Sequence, residues 1–208
     1  MSKTKAARTW MQRHVADPYV RKARALGYRS RAAFKLAEID RADRLFAPGQ
    51  RVVDLGAAPG GWSQVAAEKV GPGGRVIAVD LLEMAPLPGV TVIRGDFTGE
   101  TVLRAVERAL GGERVDLVLS DMSPNLSGVA ASDQARSIHL CELALEFALV
   151  HLQPEGTLLV KAFQGAGFPA FLQRLRASFE RVASRKPGAS RSRSSEMFLL
   201  ARGPRAKP

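Results

Sequence analysis

The feature that most restricts the fold is Val52-Val53-Asp54-Leu55-Gly56-Ala57-Ala58-Pro59-Gly60-Gly61-Trp62-Ser63, a short apolar run that breaks into a glycine-rich turn just ahead of a helical pattern. A strand feeding a helix through such a turn is the repeating unit of a parallel α/β sheet, and the turn is where these sheets cradle nucleotide-shaped ligands. Departures from the dinucleotide fingerprint narrow the ligand. A G-x-G-x-x-G loop needs glycine at 56, 58 and 61, but position 58 is alanine, and Pro59 removes a backbone N–H that a pyrophosphate would use. S-adenosylmethionine carries an adenosine without a phosphate, and Gly56, Gly60 and Gly61 permit close backbone approach to its amino-acid end.

Further acids fall at the intervals this cofactor requires. Arg75 to Asp80 reads as a second strand ending in a carboxylate, placed to meet ribose hydroxyls, and Val90 to Arg94 as a third, followed by Asp96, which can accept from an adenine amino group. A helix is expected from Arg31 to about Leu45 with Ser30 as its N-cap, then helices near 62–70, 98–110, 133–152 and 168–179. Strands are expected at 51–55, 115–120, 157–162, 181–186 and 197–201, with Pro154-Glu155-Gly156 as a turn before the strand at 157. The alternation describes a doubly wound, Rossmann-like α/β sheet.

Length and charge set the rest of the frame. With 208 residues and 46% apolar content, the chain suits one α/β domain, read here as a flexible basic arm at 1–16, a single domain at 17–203 with an N-terminal basic helix, and a tail at 204–208. Cys141 is the single cysteine and lies in a helical pattern, which excludes an internal disulfide and argues against a cysteine zinc cluster. No metal, no membrane partner and a cytoplasmic monomer are expected. Residues 1–31 and 172–208 each carry a surplus of eight positive charges, so the total of +11 leaves the middle at −5. Two basic flanks on a mildly acidic body suit the gripping of a polyanion. Aromatic content is 6%, which offers no base-stacking platform.

Ligands of such sheets sit beyond the carboxyl ends of the strands, where Asp121 follows the strand at 115–120 and Lys161 lies in the apolar run Leu158-Leu159-Val160-Lys161-Ala162-Phe163. An ammonium in so apolar a run must either snorkel outward or be held by a carboxylate. Five ordered stretches then resemble the FtsJ-type ribosomal RNA 2'-O-methyltransferases over about Asp17 to Ala201. They are Gly27 to Leu36, Asp54 to Gln64, Ser120 to Gly128, Val160 to Gly165, and Arg185-Lys186-Pro187 with Ser190 to Glu196. The resemblance implies an S-adenosylmethionine-dependent methyltransferase fold with a mostly parallel sheet and an antiparallel last strand. It places a Lys-Asp-Lys-Glu catalytic tetrad on Lys35, Asp121, Lys161 and Glu196, and cofactor contacts on Gly60, Trp62, Asp80, Asp96 and Asp121. It also implies a uridine in the A-loop of 23S rRNA, presented by the assembled 50S subunit, as the acceptor.

Chemistry gives these positions roles. Methyl transfer from a sulfonium is an in-line displacement on an activated electrophile, so donor and acceptor must be aligned and the hydroxyl proton removed. Lys161 can act as general base if its pKa falls from about 10.4 toward about 7 to 8, or can steer the hydroxyl and stabilise developing charge if the carboxylates keep it protonated. Arg21, Lys22, Arg24, Arg29, Arg31, Lys186, Arg191 and Arg193 are candidate phosphate contacts. Asp-Met-Ser-Pro-Asn after the strand at 115–120 does not fit the loop of amino-group methylators. The alternatives are a 2'-O-methyltransferase of another RNA, such as transfer RNA, and an RNA-binding ribosome-assembly factor.

Overall fold

The computed structural model describes residues 17–125, 127–191 and 194–205; the arm at 1–16, the end of the tail and Arg193 lie outside them. The elements run α1 (Pro18–Ala25), α2 (Ala32–Asp43), β1 (Arg51–Leu55), α3 (Gly61–Val70), β2 (Arg75–Asp80), β3 (Val90–Arg94), α4 (Glu100–Leu110), β4 (Val115–Ser120), α5 (Ala130–His151), β5 (Leu152–Phe163), α6 (Phe168–Ser178), β6 (Phe179–Arg185) and β7 (Glu196–Pro204). Seven strands form one sheet in the order β3-β2-β1-β4-β5-β7-β6, in which β1 to β5 pair in parallel and β7 runs antiparallel to both β5 and β6.

Strand alternation explains the layering. Val53, Leu55, Val118, Leu158 and Val160 point to one face, against Val106 of α4, Leu145 of α5 and Phe171 of α6. Val52, Leu117, Leu119, Leu159, Phe198 and Leu200 point to the other, against Leu36 and Ile39 of α2 and Trp62 and Val65 of α3. Both faces are covered, as a parallel sheet requires. The chain leaves β1 toward β2 on one side and returns to β4 on the other, so the carboxyl ends of β1 and β4 flank the switch point where such sheets bind ligands. Among the described residues no helix is long and apolar enough to cross a membrane.

Two local expectations are corrected. Pro154-Glu155-Gly156 is not a turn that separates elements but a bulge inside β5. Val115 pairs with Leu152 and Leu117 with Thr157, so the residues between loop out while buried Leu152 keeps its place in the sheet. Ser30 does not cap α2 with its side chain; its carbonyl accepts from Ala33 N at 3.3 Å, and its hydroxyl lies so close to Gly61 that a Cβ there would be 2.3 Å from Ser30 Oγ. Ahead of α2 lies α1, whose first turn is capped by Asp17 accepting from Tyr19 N at 3.0 Å.

Candidate active site

The sheet places the acids expected at the strand ends around one cleft of about 580 Å³, within the range of small-molecule sites. Asp80 ends β2, Asp96 follows β3 and Asp121 follows β4, and all three line it together with Gly56 of the β1–α3 loop. Asp80 also shapes the cleft: Oδ2 accepts from Ala58 N and Oδ1 from Leu82 N, both at 2.8 Å, tying the β1 loop to the turn after β2. Asp96 Oδ1 accepts from Thr98 N at 2.9 Å and from its hydroxyl at 2.8 Å, bonds that hold this exposed carboxyl below the usual range. Asp96 is therefore both a turn residue and a lining residue.

Glycines of the loop also permit close contacts within the protein. A Cβ at Gly56 would lie 2.8 Å from the backbone of Met122, so this glycine lets the segment after β4 close onto the β1 loop. Gly60 and Gly61 leave room for protein neighbours, with a Cβ falling 2.9 Å from Met84 Sδ and 2.3 Å from Ser30 Oγ respectively. The side chain of Trp62 serves the core. Its indole is buried between α2 and α3, donates to Ala32 O at 2.9 Å and tilts against Phe198 at 5.7 Å. Its main-chain N–H, in the first turn of α3, is the part left to face a ligand.

Against the cleft stand four side chains from four elements. Lys161 belongs to the β5 register that faces α2 and is only 8% exposed. It donates to Asp121 O at 2.8 Å and stands equally close to Asp121 Oδ1; the approach to Oδ1 is off the hydrogen-bonding direction, so that contact is ionic. Lys35, carried over the same face by α2, lies 2.7 and 2.8 Å from the two carboxylate oxygens of Glu196. Glu196 opens β7 opposite Phe163 of β5. Burial alone would raise its pKa, but the hydrogen bond and charge of Lys35, helped by the Lys161 charge, hold it below the usual range.

Two features were not singled out from sequence. Asp54 of β1 is fully buried, and Ser63 donates to its Oδ2 at 2.6 Å while Oδ1 has no partner. Burial pushes its carboxyl up to about 7, with Asp121 and Asp80 adding to the rise against the Ser63 hydrogen bond. Arg136 and His139 reach the cleft from α5, a placement that no local pattern reveals.

The expected phosphate contacts divide. Arg21, Lys22 and Arg24 are exposed on α1, with Lys22 5.0 Å from the centre of the Phe34 ring. Others are used within the protein: Arg29 donates to Ala85 O and Pro86 O at 2.6 Å, Arg31 binds Asp17 and Ala189 O, and Lys186 binds Ser194 O and, at 2.8 Å, Glu196 O. Arg191 stays half exposed, 3.7 Å from Asp17.

Three carboxylates against Arg136 leave the cleft net acidic, which disfavours a phosphate-bearing ligand and suits cationic groups such as the sulfonium and ammonium of S-adenosylmethionine. Comparison with known proteins agrees with a methyl-transfer site. A family model for FtsJ-like methyltransferases matches residues 28–204. A protein of Azoarcus sp. named ribosomal RNA large subunit methyltransferase E is 58% identical over 200 residues, covering 96% of this chain and 98% of its own. One of the same name from Halorhodospira halophila is 62% identical over 192 residues, covering 92% and 91%. A crystal structure of a Plasmodium falciparum protein described as a ribosomal RNA methyltransferase superposes with a TM-score of 0.76 at 26% identity, over 85% of this chain and 98% of that one. The sheet with its antiparallel β7 and the match over nearly the whole described fold lead to one assignment: the chain belongs to the FtsJ-like methyltransferases.

Proposed function

We propose that this methyltransferase moves the methyl group of S-adenosylmethionine to the ribose 2'-hydroxyl of a uridine in the A-loop of 23S rRNA, with the assembled 50S subunit as substrate and a monomer as the working form. The observation that carries this reading is the double position of Asp121, which lines the acid cleft and also holds Lys161. Donor site and acceptor site therefore meet at one residue. The relatives named for large-subunit ribosomal RNA support the choice of RNA.

Asp80 would take the ribose hydroxyls of the donor and Asp96 its adenine amino group, while the first-turn N–H groups of α3 would meet its carboxylate. Bound there, the donor supplies an activated methyl group on sulfur. In the reactive form Lys161 has released to solvent the proton it carries at rest beside Asp121, and as the neutral amine it takes the proton of the 2'-hydroxyl as the oxygen–methyl bond forms and the sulfur–methyl bond breaks. The two Asp121 oxygens beside Nζ stabilise the ammonium that results, which favours the transfer. Lys35 is charge-balanced by Glu196, so the pair holds the acceptor ribose by hydrogen bonds without adding net charge.

Transfer of labelled methyl to 50S particles lacking the modification tests the reading. Wild type should label one A-loop ribose, and Lys161→Ala should lose about 10²- to 10⁴-fold in rate. Lys161→Arg, which keeps the charge but cannot serve as a base, should be as slow. Transfer to transfer RNA but not to 50S would replace the substrate, and undiminished transfer by both variants would remove Lys161 from the mechanism.

A further inference from the structure

A second groove, of about 380 Å³, opens between the start of α1 and the segment joining β6 to β7. Asp17 lies in it, with Arg31 bonded to Asp17 Oδ2 and Arg191 3.7 Å from the same oxygen. The two guanidiniums differ in freedom. Arg31 is 14% exposed, is anchored by Ala189 O as well, and lies 5.7 Å from the centre of the Tyr19 ring. Arg191 is 55% exposed, and its distance to Asp17 is at the outer edge of an ion pair.

The groove also leads toward the tetrad. Ser190 lines it, and its buried hydroxyl lies beside Glu196, whose carboxyl it helps to hold low from a position outside good hydrogen-bonding geometry. A buried hydroxyl in so poorly aligned a contact gains free energy when a ligand oxygen offers it a straighter hydrogen bond. One carboxylate oxygen between two guanidiniums, with a hydroxyl donor nearby, is the arrangement that a backbone phosphate oxygen would find.

We propose that the groove is a subsite for a backbone phosphate of the acceptor RNA next to the reacting ribose, and that Asp17 competes for it by holding Arg191 until RNA arrives. Arg31 remains the fixed wall, Arg191 turns from carboxylate to phosphate, and Ser190 donates to the same phosphate. Asp17 thus lowers the affinity of the site for RNA in general. The assignment rests on the proposed RNA substrate, but its test needs no methyl transfer.

Asp17→Asn removes the charge while keeping an oxygen to cap α1, since asparagine is as good an N-cap as aspartate. Binding of an A-loop transcript and of an unrelated RNA duplex would be followed across a salt series. Asp17→Asn should bind both RNAs three- to tenfold more tightly, with a log–log salt slope steeper by about one. Arg191→Ala should bind more weakly with a shallower slope, and adding Asp17→Asn to Arg191→Ala should restore nothing. A gain that persists without Arg191 overturns the proposal, as does Arg191→Ala with wild-type affinity and slope, whatever Asp17→Asn does to stability. Should wild type bind RNA yet methylate neither 50S nor transcript, the proposed substrate fails while the salt slopes still decide the role of Asp17.

Discussion

Asp54 bears the sharpest physical tension at the residue scale, because a wholly buried carboxyl has one oxygen satisfied by Ser63 and the other by nothing. With its folded-state pKa near 7 and the unfolded value near the usual carboxyl range, the folded protein keeps a proton that the unfolded chain releases. Stability is therefore lost as pH rises between roughly 4 and 7, and the loss is complete above that window. Asp54→Asn keeps an oxygen for Ser63 and cannot ionise. Denaturant unfolding should show the variant gaining on wild type through this window, by a few kcal/mol at pH 8, and converging with it near pH 4. Parallel curves would mean that Asp54 is ionised in the fold. Lys161 shows the opposite solution, a buried charge placed 2.8 Å from two oxygens of one residue.

Among the elements, the β1–α3 loop is the piece on which the cleft depends most directly. Gly56 has φ of +77° and lies where a Cβ would be 2.8 Å from the Met122 backbone. Gly56→Ala should therefore cost about 2 kcal/mol, a fall in Tm of roughly 4–8 °C, and weaken donor binding at least about tenfold by calorimetry. A variant with wild-type donor affinity would show that the β4 segment can yield. The same loop marks what was legible in advance. Its strand, turn and helix announce themselves by composition, and β1, β2 and β4 follow the expected apolar runs because a sheet covered on both faces needs continuous hydrophobicity. What escaped depends on partners remote in sequence. Gly61 faces Ser30, and the Trp62 indole meets Ala32 and Phe198, so local pattern shows a small residue or an aromatic but not the neighbour that requires it. The bulge at 153–156 escaped for a related reason, since Pro and Gly read as a turn wherever the strand's own pairing is unseen.

For the molecule as a whole, the uneven charge has a structural counterpart in the exposed Arg21, Lys22 and Arg24 of α1, on the flank that carries the Asp17 groove. Replacing all three by glutamine should weaken RNA binding about tenfold near 0.15 M salt and make the log–log slope shallower by about two to three, while donor affinity and Tm stay as in wild type. Unchanged RNA affinity would show that the α1 flank is a solvated face and not a phosphate grip. The order of the strands has a consequence in time. Every strand-end acid of the cleft, together with Lys35 and Lys161, precedes α6, but Glu196 arrives only with β7, which inserts between β5 and β6 after both exist. The strand that brings the acid for Lys35 is also the one whose Phe198, Leu199, Leu200 and Ala201 complete the core on both faces of the sheet. Packing and chemistry thus reach completion in one step, and a C-terminally clipped chain would lose the closure of its sheet together with Glu196.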